Sequence, residues 1–392
     1  MDTTEPTSSE SEIGSNSVNP SSRLAPASAP VSATCSLIPF PTRVMIRVPN
    51  WVGDAVMAVP ALRELRRIFR EATITLVARP WVAGLFEGEG LADDLIAAED
   101  ARTVLQGAAS FFRDSRQLRR KRIDLAVLLQ NAFGAAMLAR AGGAKMIAGY
   151  PTDLRRMLLN CVIPFEPNHK SVHQVRYYLN IAAELERRLT GSSVVEIETA
   201  RPSLQVSSDQ RDEARTILEK AGVKPDRNPI LAICPGATNS RAKRWPAERF
   251  ASTGDRLSSL SGFQIIVVGS AGDLEAATEV ARHMRTPAAV LAGRTTIAEL
   301  KAVLACASLV LSNDTGTAHV SAALGVPTVV VFGPTEHVST RPLSEKARVV
   351  RHDVECSPCM LRDCPIDHRC MTRVEVDDVF GAAQSLLVMK TV

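Results

Sequence analysis

The chain has 392 residues, 45% of them hydrophobic, and a formal net charge of +4, as expected of a soluble protein long enough for two domains. No stretch approaches the ~18 apolar residues of a membrane span, and the acidic, Ser/Pro-rich start is no secretory signal, so cytoplasmic residence is expected. Aromatic residues are only 4% and do not alternate with cations, which argues against nucleic acid as a partner.

Residues 1–42 are rich in Ser, Pro, Ala, Thr and Glu and carry Asp2, Glu5, Glu10 and Glu12 against Arg23 alone. So little apolar surface predicts a disordered tail. From Arg43 the pattern alternates strands and helices. Val44–Val48 reads as a strand, and Ala55–Phe69 as a helix kinked or restarted at Pro60. Further strands are expected at Ile74–Ala78, Leu95–Ala97, Leu125–Leu129 and Met146–Ala148, and Val172–Leu189 reads as a long closing helix. Two arginine runs fall on helices of this half: Arg63, Arg66, Arg67 and Arg70, then Arg113, Arg116, Arg119, Arg120, Lys121 and Arg122. Such runs suit a solvated face, an anionic partner or a membrane surface.

The polar stretch Thr190–Ser208 reads as a linker. A second set follows, with strands at Ile230–Cys234, Gln264–Val268, Ala288–Leu291, Leu309–Leu311 and Thr328–Val331. Helices between them are expected at Gln210–Ala221, Ala247–Leu260, Leu274–Met284, Ile297–Ala305 and His319–Leu324. Alternation of this kind predicts an α/β protein with two doubly wound parallel sheets. The domains expected are 43–200 and 201–392, facing a cleft.

Three strand-end loops carry the candidate chemistry. Gly53-Asp54 follows the first strand, where a carboxylate can accept a hydroxyl proton or cap the next helix. Pro235–Trp245 joins Gly236, Thr238 and three cations, Arg241, Lys243 and Arg244, which repel one another unless an anion joins them. Asn313–Thr317 precedes a helix, and its hydroxyls and free amides suit a phosphate, although Thr315 or Thr317 could equally be an ordinary helix cap. No G-x-G-x-x-G element or P-loop is present. Cys356, Cys359, Cys364 and Cys370 crowd the C-terminal end, but their spacing departs from paired zinc knuckles, so free thiols are favoured over a metal site.

R-V-P-N-W-V-G-D-A-V-M-A-V-P-A-L, C-P-G-A-T-N-S-R-A-K-R-W-P and S-N-D-T-G-T-A-H-V-S-A-A-L-G-V-P-T-V-V-V-F-G-P-T together resemble the bacterial ADP-heptose:lipopolysaccharide heptosyltransferases of glycosyltransferase family 9. The run C-S-P-C-M-L-R-D-C-P-I-D-H-R-C-M looks like the heptosyltransferase II branch. The resemblance covers Arg43 to the C-terminus and implies a GT-B fold of two Rossmann-like domains. It implies inverting transfer of L-glycero-D-manno-heptose from ADP to the first heptose of the inner core, without a cofactor or metal. Asp54 would be the catalytic base, and Lys243 would contact the diphosphate. Asp314, Thr315, Gly316 and His319 would lie at the diphosphate and sugar, with Gly236 and Thr238 on the donor loop and Asp273 at the ribose. The implied partners are ADP-heptose, a lipid A–inner-core acceptor and, peripherally, the inner face of the cytoplasmic membrane. The alternatives are another transferase of the family, such as heptosyltransferase I or III, a nucleotide-sugar epimerase, or a non-catalytic binding protein on the same fold.

Overall fold

The computed structural model describes residues 40–98, 104–166, 171–237 and 240–388. Residues 1–39, most of the expected tail, lie outside them. Thr42 already joins the fold, its hydroxyl donating to Asp124 Oδ2 over 2.9 Å.

The first half runs β1 (Arg43–Arg47), α1 (Val52–Met57), α2 (Val59–Ile68), β2 (Thr73–Ala78), α3 (Pro80–Ala83), β3 (Asp94–Ala97) and α4 (Val104–Lys121). It continues with β4 (Leu125–Leu128), α5 (Phe133–Ala141), β5 (Met146–Gly149), β6 (Cys161–Val162) and α6 (Gln174–Thr190). The second half holds α7 (Ser208–Lys220), β7 (Ile230–Cys234), α8 (Ala247–Ser261), β8 (Gln264–Val267), α9 (Leu274–His283), β9 (Ala288–Val290) and α10 (Ile297–Ala305). After these come β10 (Leu309–Asn313), α11 (Gly316–Ala323), β11 (Thr328–Val331), α12 (His337–Thr340), β12 (Ala347–Val350), α13 (Arg369–Thr372) and α14 (Val376–Val388).

Each half builds one six-stranded parallel sheet, in the orders β3-β2-β1-β4-β5-β6 and β12-β11-β10-β7-β8-β9. The two orders are the same winding, the strand order of a dinucleotide-binding Rossmann sheet. Helices cover both faces, so the central strands read as unbroken apolar runs. In β1, Val44 and Ile46 enter one core while Met45 enters the opposite one. In β7, Ile230 and Ala232 point to the core shared by both halves, and Leu231 and Ile233 to the outer core of the second sheet.

The expected elements are present, with shifts that have local causes. The helix after β1 restarts at Val59, with Pro60 in the first turn of α2, where a missing N–H costs nothing. The helix after β10 begins at Gly316, three residues ahead of the expected His319, because Ala318 N–H already bonds Thr315 O. The two-residue β6 and the elements after β11 carry too little periodicity to be read from sequence. The linker is pinned: Leu204 N–H donates to Ala323 O, and Gln205 N–H to Glu89 Oε1 over 2.8 Å.

Candidate active site

In both sheets the crevice between oppositely wound connections opens at the carboxyl ends of the central strands, where α/β sheets bind ligands. In the first sheet these are β1 and β4, and in the second β7 and β10. Helix α1 leaves β1 and helix α11 leaves β10, and the two pack closely on each other. The approach is set by two glycines. A Cβ on Gly316 would stand 2.7 Å from Val52 Cβ, and one on Gly53 would stand 3.1 Å from His319 Cδ2.

Asparagine 313, wholly buried at the end of β10, clamps the basic loop. Its Nδ2 donates to Pro235 O over 2.8 Å, and its Oδ1 accepts from Trp245 N–H over 3.0 Å. Both ends of the loop are thereby fixed, and Lys243 is carried to Asp314. Its Nζ lies 2.8 Å from Asp314 Oδ2, which also accepts from the Thr335 hydroxyl at 2.7 Å. The carboxylate is buried and the lysine half-buried, so the ammonium faces the open side of the crevice. Thr315 Oγ1 lies 3.3 Å from Ser312 Oγ and 3.8 Å from Cys234 Sγ. Its side chain does not cap α11, so the cap reading fails and the first-turn amides keep their donor capacity.

Asp54 sits in the first turn of α1, three residues past the cap position, which is held by Trp51. Among the described residues its half-buried carboxyl has no hydrogen-bond partner. Burial raises its pKa to about 6, the Lys243 ammonium pulling it down and the Asp314 carboxylate pushing it up. The site from the other half thus reaches Asp54 electrostatically. His319, only 6% exposed, is held neutral: burial lowers its pKa to about 4 against the opposing pull of Asp314. It packs the junction of the two helices.

The structure gathers Asp54, Lys243, Asp314, Thr315, Gly316 and His319 around this junction. Asp273 is turned inward, its Oδ2 accepting from the amide and hydroxyl of Ser270 at 3.0 and 2.6 Å. Gly236 packs so tightly on it that a Cβ there would lie 2.2 Å from Asp273 Cγ. These two residues pack the loops after β7 and β8 on each other. Thr238 lies outside the described residues. Cys356, Cys359, Cys364 and Cys370 line one cavity of about 70 Å3. Burial, then the neighbouring thiols, lift the Cys370 thiol to about 11. Among the described residues no group of three or more His, Cys, Asp or Glu could hold a metal ion.

With this geometry in place, the comparisons decide the family. A model described as "Glycosyltransferase family 9 (heptosyltransferase)" matches residues 111–369. The chain belongs to glycosyltransferase family 9. Lipopolysaccharide heptosyltransferase 2 of Escherichia coli strain K12 is 29% identical over 313 residues, 79% of this chain and 88% of that protein. Lipooligosaccharide heptosyltransferase 2 of Campylobacter jejuni serotype O:2 is 28% identical, covering 88% of this chain and 98% of the relative. The structure of E. coli ADP-heptose LPS heptosyltransferase II superposes with a TM-score of 0.74 at 25% identity, over 89% of this chain and all of that one. A family 9 glycosyl transferase from Veillonella parvula shares the fold, with a TM-score of 0.76 at 23% identity, over 90% and 99% of the two chains. The glycosyltransferase fold is therefore GT-B, two Rossmann-like sheets facing each other.

Several contributors to this family 9 site had no distinct mark in the sequence. Asn313 and Thr335 stood inside or beside a quoted motif without a role. His173 caps α6 through Nδ1, which accepts from Val175 N–H, while Nε2 donates to Arg341 O of the second half over 2.8 Å. Burial keeps it neutral, with a pKa near 4, which that pair of bonds requires.

Proposed function

We propose that this glycosyltransferase moves L-glycero-D-manno-heptose from ADP-heptose to the first heptose of a lipid-borne inner core, with inversion at the anomeric carbon. Relatives named heptosyltransferase 2 over most of the chain support the sugar and the acceptor. The observation that carries the mechanism is the Asp54 carboxyl. It has no hydrogen-bond partner among the described residues, its pKa is raised to about 6, and it lies within electrostatic reach of Lys243 and Asp314 from the opposite half.

Residues up to 200 would hold the acceptor and residues from 201 the donor. The acceptor hydroxyl attacks the anomeric carbon from the face opposite the diphosphate. Its oxygen forms the new glycosidic bond, its proton passes to Asp54, and the electron pair of the breaking C–O bond leaves with ADP. A carboxylate of pKa about 6 is ionised at neutral pH and still a stronger base than an ordinary aspartate. Lys243, the first amides of α11 and the dipole of that helix neutralise the charge growing on the diphosphate. Asp314 keeps the ammonium in place through the same ion pair, with Thr335 steadying the carboxylate. Because the acceptor is carried on a lipid, the enzyme works peripherally at the inner face of the cytoplasmic membrane.

The test is to incubate the chain with ADP-heptose and core lipid ending in one heptose, and to follow product mass. A gain of one heptose is expected. Transfer only to heptose-free core would reassign the acceptor to that of a first-heptose transferase. Release of ADP without any acceptor would replace transfer by an epimerase-type or hydrolytic reaction.

A further inference from the structure

The two arginine runs of the first half look alike in sequence and differ in structure, since each described arginine of the first has a carboxylate partner and the second leaves two arginines of its helix bare. On α2, Arg63 pairs with Glu89, Arg66 with Asp93, and Arg67 with Glu64 and Glu186, while Arg70 pairs with the neighbouring Glu71. That run holds the fold together. On α4, Arg113 pairs with Asp114, Lys121 with Asp94, and Arg119 donates to Ala141 O, but Arg116 and Arg120 are exposed and have no ion-pair or hydrogen-bond partner among the described residues. Neither do Arg140 on α5 and Arg156 in the β5–β6 connection.

These four cations share a surface with exposed apolar side chains. Phe112 is 71% exposed and falls one and two helical turns before Arg116 and Arg120, on one stripe of α4. Phe133 and Met137, each about two-fifths exposed, make the same stripe with Arg140 on α5. Leu154 and Met157, at 85% and 81%, stand out of the β5–β6 connection. Helices α4 and α5 pack on each other, and α5 packs on that connection, so the surface is continuous. It covers the sheet face whose core contains residues of the first half alone.

In a parallel sheet the connecting helices run antiparallel to the strands. Phe133, Leu154 and Met157 therefore lie at the carboxyl edge, the edge that carries the acceptor loops, with Arg156 among them and Arg116, Arg120 and Arg140 extending behind. Asp153 is the single exposed acid among the described residues of α4, α5 and the β5–β6 connection. Apolar tips at one edge and uncompensated guanidinium groups behind them match a bilayer interface, where the tips enter the acyl boundary and cations meet anionic headgroups.

We infer that this face, built from α4, α5 and the β5–β6 connection, docks on an anionic phospholipid bilayer and presents the cleft edge to acceptors embedded there. The inference rests on the reading that the acceptor is lipid-borne, and it names the surface that reading leaves open.

The test uses the full chain and sedimentation with phosphatidylethanolamine–phosphatidylglycerol vesicles, compared with phosphatidylcholine vesicles. Wild type should bind the anionic vesicles and release at high salt. Each arginine removed near the surface should weaken partitioning about fivefold, so R116S/R120S should lose roughly 25-fold. F112S/M157S should also lose binding, and R70S, from the internally paired run, should not. Thermal melts and transfer to a deacylated, water-soluble acceptor should stay at wild-type values in all variants, since none of these residues touches the site.

If wild type ignores both kinds of vesicle, the peripheral-membrane reading and this face fall together. If wild type binds and the variants bind equally well, membrane association stands and the face is wrong. A loss confined to vesicles loaded with acceptor would show that the arginines recognise acceptor phosphates, which also overturns the bilayer assignment.

Discussion

The Nζ of Lys301 sits 3.3 Å from Oε1 of Glu89, and both side chains are completely buried. Lys301 belongs to α10 of the second half, and Glu89 to the β2–β3 connection of the first. The same carboxylate receives Gln205 N–H from the linker and Nη2 of Arg63 from α2, at 2.8 and 3.2 Å. Lys301 also donates to Leu85 O and Glu87 O. The ammonium and both carboxylate oxygens are satisfied at this joint, and losing Lys301 leaves the buried carboxylate with the half-exposed Arg63 as its counter-ion. K301M should destabilise the chain by about 3 kcal/mol, and E89Q/K301M should recover most of that, because the second change removes the buried carboxylate. Urea denaturation of the three proteins checks it. Equal loss in single and double variants would mean that packing, not charge, holds the halves here.

Gly316 admits no side chain without moving a helix. The Cβ of G316A would meet Val52 Cβ at 2.7 Å and Gly53 N at 3.2 Å, all of them close to backbone. Overpacking of this kind costs about 1–3 kcal/mol, and here it also displaces Asp54 relative to the α11 amides. Transfer should fall at least ~10-fold while the protein remains folded. V52A should not rescue, because it keeps the offending Cβ. Steady-state kinetics with a thermal melt decide the matter, and rescue by V52A would place the conflict at the valine methyls.

How legible this was follows from the kind of signal each residue leaves. Both sheets were readable because every central strand is a short apolar run closed by turn residues, as in Ile230–Cys234 followed by Pro235-Gly236. Asp54, Lys243 and the Asp314–Gly316 turn were readable because chemistry-bearing types cluster behind such strands. Glu89 and Lys301 were not, since a buried ion pair 212 residues apart in sequence leaves no local pattern. The two arginine runs show the limit most directly. Their compositions agree, and it is folding that brings Glu89, Asp93 and Glu186 to the first run while leaving Arg116 and Arg120 of the second without a partner among the described residues. Asp273 shows the converse, a residue in the expected place whose carboxylate is turned to Ser270.

The raised pKa of Asp54 makes two predictions with definite sign. Transfer requires the carboxylate, so kcat/KM should fall about tenfold per pH unit below about 6. D54N should lose at least ~10²-fold at neutral pH while its affinity for an ADP-heptose analogue persists. For stability, the folded pKa of about 6 exceeds the ordinary 3.8, so the native state holds the proton more tightly than the unfolded chain. Stability is therefore lost as pH rises from about 4 to 6, and none of this loss applies below 4. D54N escapes the loss and should be more stable than wild type above pH 6 by about 1–3 kcal/mol, the two converging in acid. Denaturant titrations across that range test it. A variant less stable than wild type at pH 7 would make the carboxylate a structural support.

Lys243 and Asp314 act on Asp54 with opposite sign, and this separates their roles more finely than loss of activity does. Lys243 pulls the Asp54 pKa down and Asp314 pushes it up. K243M should therefore move the acid limb of the pH–rate profile to higher pH, and D314N should move it to lower pH. Both variants should also turn over slowly. K243M removes the cation proposed to face the diphosphate, a charge-assisted contact worth about 1.5–3 kcal/mol, so a loss of roughly 10- to 100-fold is expected. D314N leaves the ammonium but loosens it, and the Thr335 hydroxyl keeps a neutral acceptor at the same place. Its loss should be smaller and fall mainly on donor affinity. The measurement is a full pH–rate profile for each variant with saturating acceptor, paired with calorimetric binding of a donor analogue. Limbs that move in the same direction, or do not move, would show that the ionisation governing the rate is not that of Asp54, and the base would have to be sought elsewhere in the first half.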